Sequence, residues 1–154
     1  MLRNNEPTPA PIEDVQNVAR ALWSWLNGYP DKLAGRITFE HLPNENYGMT
    51  ILSMQSAYKI KTYLRSAYRA QYPFQILYRK APDSDDERLK MDEALNKLGA
   101  WAESNPNKPE LEGGARVLRI SRTSGASMTN RYEDGSEDHV IDMNCEYEVT
   151  ENEP

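Results

Sequence analysis

Near the start of the chain, Ile12, Val15, Val18, Ala19, Leu22, Trp25 and Leu26 recur at three- and four-residue spacing. That period places them on one stripe of a helix. Pro11 suits its opening, where a missing N–H is tolerated, and Gly28 and Pro30 stop it. The period then shortens to two. Ile37 and Phe39 alternate with Arg36, Thr38 and Glu40, which predicts a short strand closed by Pro43. Residues 49–54 predict a second strand. Residues 58–64 predict a third, with Tyr58, Ile60, Thr62 and Leu64 on one face and Lys59, Lys61 and Tyr63 on the other. Arg65, Ser66 and Ala67 form the connecting turn. Residues 68–79 predict a longer strand with Tyr72, Phe74, Ile76 and Tyr78 on one face. Pro73 lacks a ladder donor, so that stretch is expected at a sheet edge or a bulge.

Ser84-Asp85-Asp86-Glu87 has the form of a capping box and opens a second helix. Its apolar stripe is Leu89, Met91, Leu95, Leu98, Trp101 and Ala102. A loop rich in Pro, Asn and Gly follows over residues 105–114, then a strand over 115–123 and a bend at Gly125. Asp134-Gly135 is a strong turn signal. In the last strand Ile141, Met143, Cys145, Tyr147 and Val149 alternate with Asp142, Asn144, Glu146 and Glu148. One face of it is apolar and the other acidic, as in an antiparallel strand exposed on one side.

Runs of strands separated by two helices predict an α+β fold. The sheet is expected to be twisted and mainly antiparallel or mixed, with two principal helices packed on one face. Residues 1–10 read as a flexible arm, 11–150 as a single domain and 151–154 as an acidic tail. The 154 residues fit one domain. An apolar fraction of 38% with a mean hydropathy of -0.81 implies a modest core, to which partner subunits often add stability.

The net charge of -6 is unevenly distributed. Residues 133–154 carry Glu133, Asp134, Glu137, Asp138, Asp142, Glu146, Glu148, Glu151 and Glu153 and no Lys or Arg. Residues 58–90 carry Lys59, Lys61, Arg65, Arg69, Arg79, Lys80, Arg88 and Lys90 against four acids. Pairing within the chain explains this asymmetry, and so does head-to-tail complementarity between neighbours in a ring.

Candidate chemistry is sparse. His41 and His139 lie far apart without a second ligand at metal spacing. Glu137-Asp138-His139 reads as a solvated acidic turn leading into a strand in preference to a divalent-ion site. Cys145, on the apolar face, reads as a buried thiol. No serine sits in a nucleophile motif, and Gly113-Gly114 is not a phosphate loop. No enzyme activity, metal or cofactor is expected. Tyr63, Tyr68, Tyr72 and Tyr78 interleave with cations as in some nucleic-acid surfaces. The acidic balance favours a core-facing row instead. Trp23 faces away from Trp25 and is a candidate interface anchor. Residues 1–11 have no apolar core, so they are not expected to act as a secretory signal, and no apolar run is long enough to span a bilayer.

Several segments together resemble the tail-terminator family of long-tailed bacteriophages, also labelled minor capsid or tail-completion proteins. They are L-W-S-W-L at 22–26, H-L-P at 41–43, K-I-K-T-Y-L-R-S-A-Y at 59–68 and Q-Y-P-F-Q-I-L-Y-R at 71–79. L-G-A-W-A-E at 98–103, N-K-P-E-L at 107–111, R-Y-E-D-G-S-E-D-H-V-I at 131–141 and C-E-Y-E-V at 145–149 complete the order. The likeness spans roughly residues 12–150. It departs at Ser66-Ala67, where relatives often carry an Asp-Gly-type turn. The resemblance implies a structural virion protein, not an enzyme. Its subunits form a homo-oligomeric ring, typically a hexamer, that caps the tail tube and ends its polymerisation. Its partners are the tail tube protein and a head-side connector, with DNA met only in passage and no membrane. It assembles in the host cytoplasm and resides in the virion at the head–tail joint. Residues singled out for subunit or partner contact are Trp23, Arg69, Arg79, Lys80, Glu133, Asp134, Glu137 and Asp138. Asp142, Glu146 and Glu148 are the lumen-facing acids. The alternatives are a head-completion or stopper connector protein, and a small prophage-encoded protein-binding regulator.

Overall fold

The computed structural model describes residues 8–31, 35–42, 46–54, 57–64 and 67–150. Pro43, Arg65, Ser66, residues 1–7 of the expected arm and the tail 151–154 lie outside them. In chain order the elements are β1 (Thr8–Pro9), α1 (Ile12–Leu26), β2 (Thr38–Phe39), β3 (Gly48–Ser53), β4 (Tyr58–Thr62), β5 (Tyr68–Lys80), α2 (Asp85–Ser104), β6 (Ala115–Arg122), β7 (Ser127–Arg131) and β8 (Glu137–Val149). This is the α+β arrangement that the hydrophobic pattern predicts.

One eight-stranded sheet carries all the strands. Its axis is β5 and β8, each of 13 residues, paired antiparallel from Tyr68 opposite Val149 to Lys80 opposite Glu137. Each long strand is flanked by two short ones laid end to end. On β5 these are β4 and β3, and on β8 they are β6 and β7. β1 extends the sheet beyond β4, and β2 joins β3 in parallel. Thr8–Pro9 fell within the expected arm, but they pair with Lys59 and Tyr58, and the Ala10 N–H donates to the Ala57 carbonyl.

The inner face of the axis holds the core. Tyr72, Phe74 and Ile76 of β5 lie directly opposite Cys145, Met143 and Ile141 of β8, and all are buried. Val18, Leu22 and Leu26 of α1 join the same cluster, as do Met91, Leu95, Leu98 and Ala102 of α2. Both helices therefore pack on this face. Burying each large apolar side chain contributes roughly 1.5–3 kcal/mol relative to exposure. Trp25 of α1 meets Trp101 of α2 with ring centroids 4.7 Å apart, which ties the helices to each other. At the start of α2, the Ser84 hydroxyl accepts from the Glu87 N–H at 3.2 Å, as the capping box requires. The Glu87 carboxylate reaches back one residue further, to the Asp83 N–H at 2.8 Å.

Three local expectations change. Pro73 is in a central strand, not at an edge, opposite Asn144. It is tolerated because the flank of β5 changes there from β4 to β3. Its carbonyl accepts from Met54, so its missing N–H points at the same junction and not at β8. A bulge at Ile60 breaks the alternation of β4: Lys59 pairs with inward-facing Ala70, whereas Lys61 pairs with outward-facing Arg69. Leu89 leaves the α2 stripe and is exposed. Two residues are about 200° of helix turn, so Leu89 opposes Met91.

Candidate functional site

The final strand starts earlier than its apolar alternation suggests, and this reshapes the charged end of the sheet. Glu137 and Asp138 were expected in a solvated turn. They are the first residues of β8 and are only 1% and 2% exposed. Successive strand residues face opposite sides, so each carboxylate builds its own network. On the inner side, Glu137 accepts from Arg88 Nε at 2.9 Å, from Arg131 Nε at 2.9 Å and meets His139 Nε2 at 3.0 Å. His139 Nδ1 lies 2.6 Å from Asp92 Oδ1 on α2. On the outer side, Asp138 accepts from Arg79 Nε at 2.5 Å, from Arg79 Nη2 at 2.8 Å and from the Tyr132 hydroxyl at 2.6 Å. The Arg79 guanidinium lies over the Tyr132 ring, 4.6 Å from its centroid.

All four oxygens of these two carboxylates face donors of the same chain. The Arg88 guanidinium, overcoming the effect of burial and helped by His139 and Arg131, holds the Glu137 carboxyl down at about 2. Burial pushes Asp138 up, but the bonds from Arg79 and Tyr132 outweigh it and leave its pKa lowered. The bond to Asp138 raises both Arg79 and Tyr132. A buried pair so completely bonded stabilises the fold only while both partners remain. Among the described residues, no three His, Cys, Asp or Glu side chains are grouped to hold a metal ion.

Of the residues singled out for contact between subunits, Arg79, Glu137 and Asp138 thus have their charges engaged inside the chain. Pairing within the chain accounts for this much of the charge asymmetry. Lys80 Nζ lies 3.7 Å from Glu87. Arg69 is half-buried opposite Glu148 and Lys61, and its Nε meets no hydrogen-bond partner among the described residues. Glu133 and Asp134 do occupy an exposed turn. There the Asp134 carboxylate accepts from the Ser136 hydroxyl and N–H, which lowers its pKa, while Gly135 takes φ +89°. Trp23 is half-buried; its indole donates to the Ile37 carbonyl at 2.9 Å, and Arg36 covers its ring at 4.8 Å.

Asp142, Glu146 and Glu148 do share one face, the side of β8 opposite the helices. Arg116 of β6 pairs with Glu148 at 3.1 Å, Arg119 approaches Glu146 at 3.5 Å, and Gln75 donates to Asp142 at 2.8 Å. The acidic row is therefore partly neutralised by a neighbouring arginine row. Tyr68, Tyr72 and Tyr78 are buried and cannot stack bases, and Arg65 lies outside the described residues. Cys145 is fully enclosed, and burial pushes its thiol up to about 12.

Sequence reasoning missed Arg88, Arg131 and Tyr132 as partners of the buried acids, and Asp92 as the partner of His139. No local signal marked them, because Ser136, Glu137, Asp138 and His139 form a polar run after Gly135 that reads as solvated. No protein-family model matches the chain, and no curated protein matches it.

Proposed function

We propose that this protein is the structural subunit of a ring that caps a phage tail tube, ends tube polymerisation and forms the tail side of the head–tail joint. The observation that supports this reading best is that segments carrying the family resemblance build one connected core. L-W-S-W-L lies in α1, Q-Y-P-F-Q-I-L-Y-R in β5, L-G-A-W-A-E in α2 and C-E-Y-E-V in β8. Leu26, Phe74, Leu98 and Cys145 from these four segments share one buried cluster.

The sheet also leaves material for subunit contact. β7 is exposed along its whole length and, among the described residues, pairs only with β8, so its other side presents an open strand edge. Bulges between Val117 and Arg119 and between Met128 and Asn130 interrupt this composite edge, which disfavours indiscriminate strand addition. A closed ring satisfies such an edge without runaway growth. In this reading the helix-free face, with Asp142, Glu146 and Glu148, lines the lumen and discourages DNA phosphate from sticking. Charge-reversed subunits at these three positions should assemble rings but retain DNA; free passage of DNA would remove the lumen assignment.

Tail tube growth in the presence of purified protein tests the reading. Tubes should stop at a fixed length with a ring on one end, visible by electron microscopy. Unchanged growth with no bound end would reject it. Binding to the connector but not to tube ends would move the assignment to the stopper side of the joint.

A further inference from the structure

Of the charges singled out for contact between subunits, the fold engages all but two. Arg79, Lys80, Glu137 and Asp138 meet partners in their own chain, and the Asp134 carboxylate is held by Ser136. Arg69 and Glu133 are left, and they lie at opposite ends of the β5–β8 ladder.

Arg69 stands on the helix-free face, near the Tyr68–Val149 end. Its rung runs from Lys61 of β4 through Arg69 and then Glu148 of β8 to Arg116 of β6, each directly opposite the next. Three cations thus share one carboxylate. Arg116 takes it, since its Nε and Nη2 both donate to Glu148 Oε2, at 3.2 and 3.1 Å. Arg69 is half-buried, and its Nε is shut off from water with no hydrogen-bond partner among the described residues. A buried donor left unpaired is costly, and such a group calls for a partner from outside. A carboxylate arriving on this face lets the guanidinium turn and bond it through two parallel N–H groups.

Glu133 is at the tip of the β7–β8 hairpin. The tip is tied down: the Tyr132 N–H donates to the Ser136 carbonyl at 2.8 Å, and the Gly135 N–H to the Tyr132 carbonyl at 3.0 Å. Glu133 is exposed, and among the described residues its carboxylate has no hydrogen bond or ion pair. One solvated glutamate is ordinary by itself. Its place relative to the unpaired arginine carries the argument. Glu137, beside the tip, and Glu148, opposite Arg69, are separated by roughly 35 Å of extended strand. The two free charges cannot meet within one chain.

We propose that Glu133 of one copy docks on Arg69 of the next copy, with Lys61 and Arg116 adding to the positive field around the incoming carboxylate. Because the acidic tip and the cationic rung are different surfaces, the contact is head-to-tail, the kind that closes into a ring when the rotation permits. It rests on the ring reading above and assigns that ring an interface. It occupies the end rung of the helix-free face and leaves the rungs of Asp142 and Glu146 to the lumen.

Sedimentation velocity on a charge swap tests this. The proteins are the wild type, Arg69→Glu, Glu133→Arg and the double variant Arg69→Glu/Glu133→Arg. Glu133 is on an exposed turn, so Glu133→Arg retains the fold; Arg69→Gln replaces Arg69→Glu should the latter unfold, with circular dichroism as the check on each. The wild type should assemble, and each single variant should weaken self-association by roughly tenfold or more. The double variant restores opposite charges across the contact and should recover most of that loss. If Glu133→Arg assembles as well as the wild type, or the folded double variant is no better than the weaker single one, this contact is wrong and the ring reading stands. A wild type that stays monomeric at every concentration overturns this contact, and the tube-end assay above then decides the ring reading by itself.

Discussion

The two ends of the β5–β8 ladder are closed by opposite chemistries. At the Lys80–Glu137 end, Glu137, Asp138 and His139 enter the structure as polar groups, each held by partners from other elements. At the Tyr68–Val149 end, aromatic rings fill the space. Tyr68 and Tyr147 meet edge to face with centroids 6.3 Å apart, and the Tyr68 hydroxyl donates to Asp14 of α1. Tyr147 is wholly buried, and its hydroxyl forms no well-aligned hydrogen bond among the described residues, only a weaker interaction with Tyr68. The same strands and the same alternation thus tolerate charge at one end only because Arg79, Arg88 and Arg131 converge there. Burial at the other end is mostly apolar, and its polar contribution rests chiefly on the Tyr68–Asp14 bond.

Glu137→Gln should break this contrast most severely. It leaves Arg88 and Arg131 facing an uncharged amide; both arginines reach solvent and stay hydrated, so the loss is that of charge-assisted hydrogen bonds, about 1.5–3 kcal/mol. Urea denaturation would show it as a lower midpoint at unchanged slope. The pH dependence should split the two ends. Glu137 has an ordinary value of 4.5 and is held at about 2 in the fold, so its contribution is complete above 4.5 and lost as pH falls toward 2. Tyr147 moves the other way: burial raises it from 10.0 to about 12, so its contribution is complete below 10 and lost as pH rises toward 12. Stability measured across both limbs should fall at acid pH in the wild type and show a flatter acid limb in Glu137→Gln.

Smaller effects sharpen the comparison. Asp14→Ala removes the acceptor of a buried tyrosine hydroxyl and should cost about 1–3 kcal/mol in thermal or chemical unfolding. Gly99→Ala probes the middle of the ladder, where an added Cβ would meet the Arg122 side chain at 2.7 Å and Ile141 Cδ1 at 2.9 Å. Crowding of that order should destabilise by about 1–3 kcal/mol. Tyr147→Phe removes a hydroxyl without a well-aligned hydrogen bond, and its unfolding free energy should change by less than about 1 kcal/mol in either direction. A large loss there would erase the distinction between the ends.

The same contrast explains what could be read in the sequence. The aromatic end follows from local periods: Tyr72, Phe74 and Ile76 at period two, and Val18, Leu22 and Leu26 at helical period, each name a buried face without knowledge of its partner. The charged end does not. Glu137 is bonded to Arg88, 49 residues away, and Asp138 to Arg79, 59 residues away, so burial of either acid depends on contacts that no local pattern records. The Asp134-Gly135 turn was legible, but it made the next residues look solvated as well. Pro73 was misplaced for a similar reason, since its tolerance depends on where two other strands meet. The bulge at Ile60, which turns Lys61 outward, likewise has no local signature.

The proposed role as a ring subunit on a tail tube is open to one decisive test. Light scattering gives the most direct measure: the native mass across concentration and salt, first alone and then with tail tubes. A ring subunit should give a discrete species near the hexamer mass, present alone or formed on tube ends. A monomer in both settings, with no tube association, would contradict it.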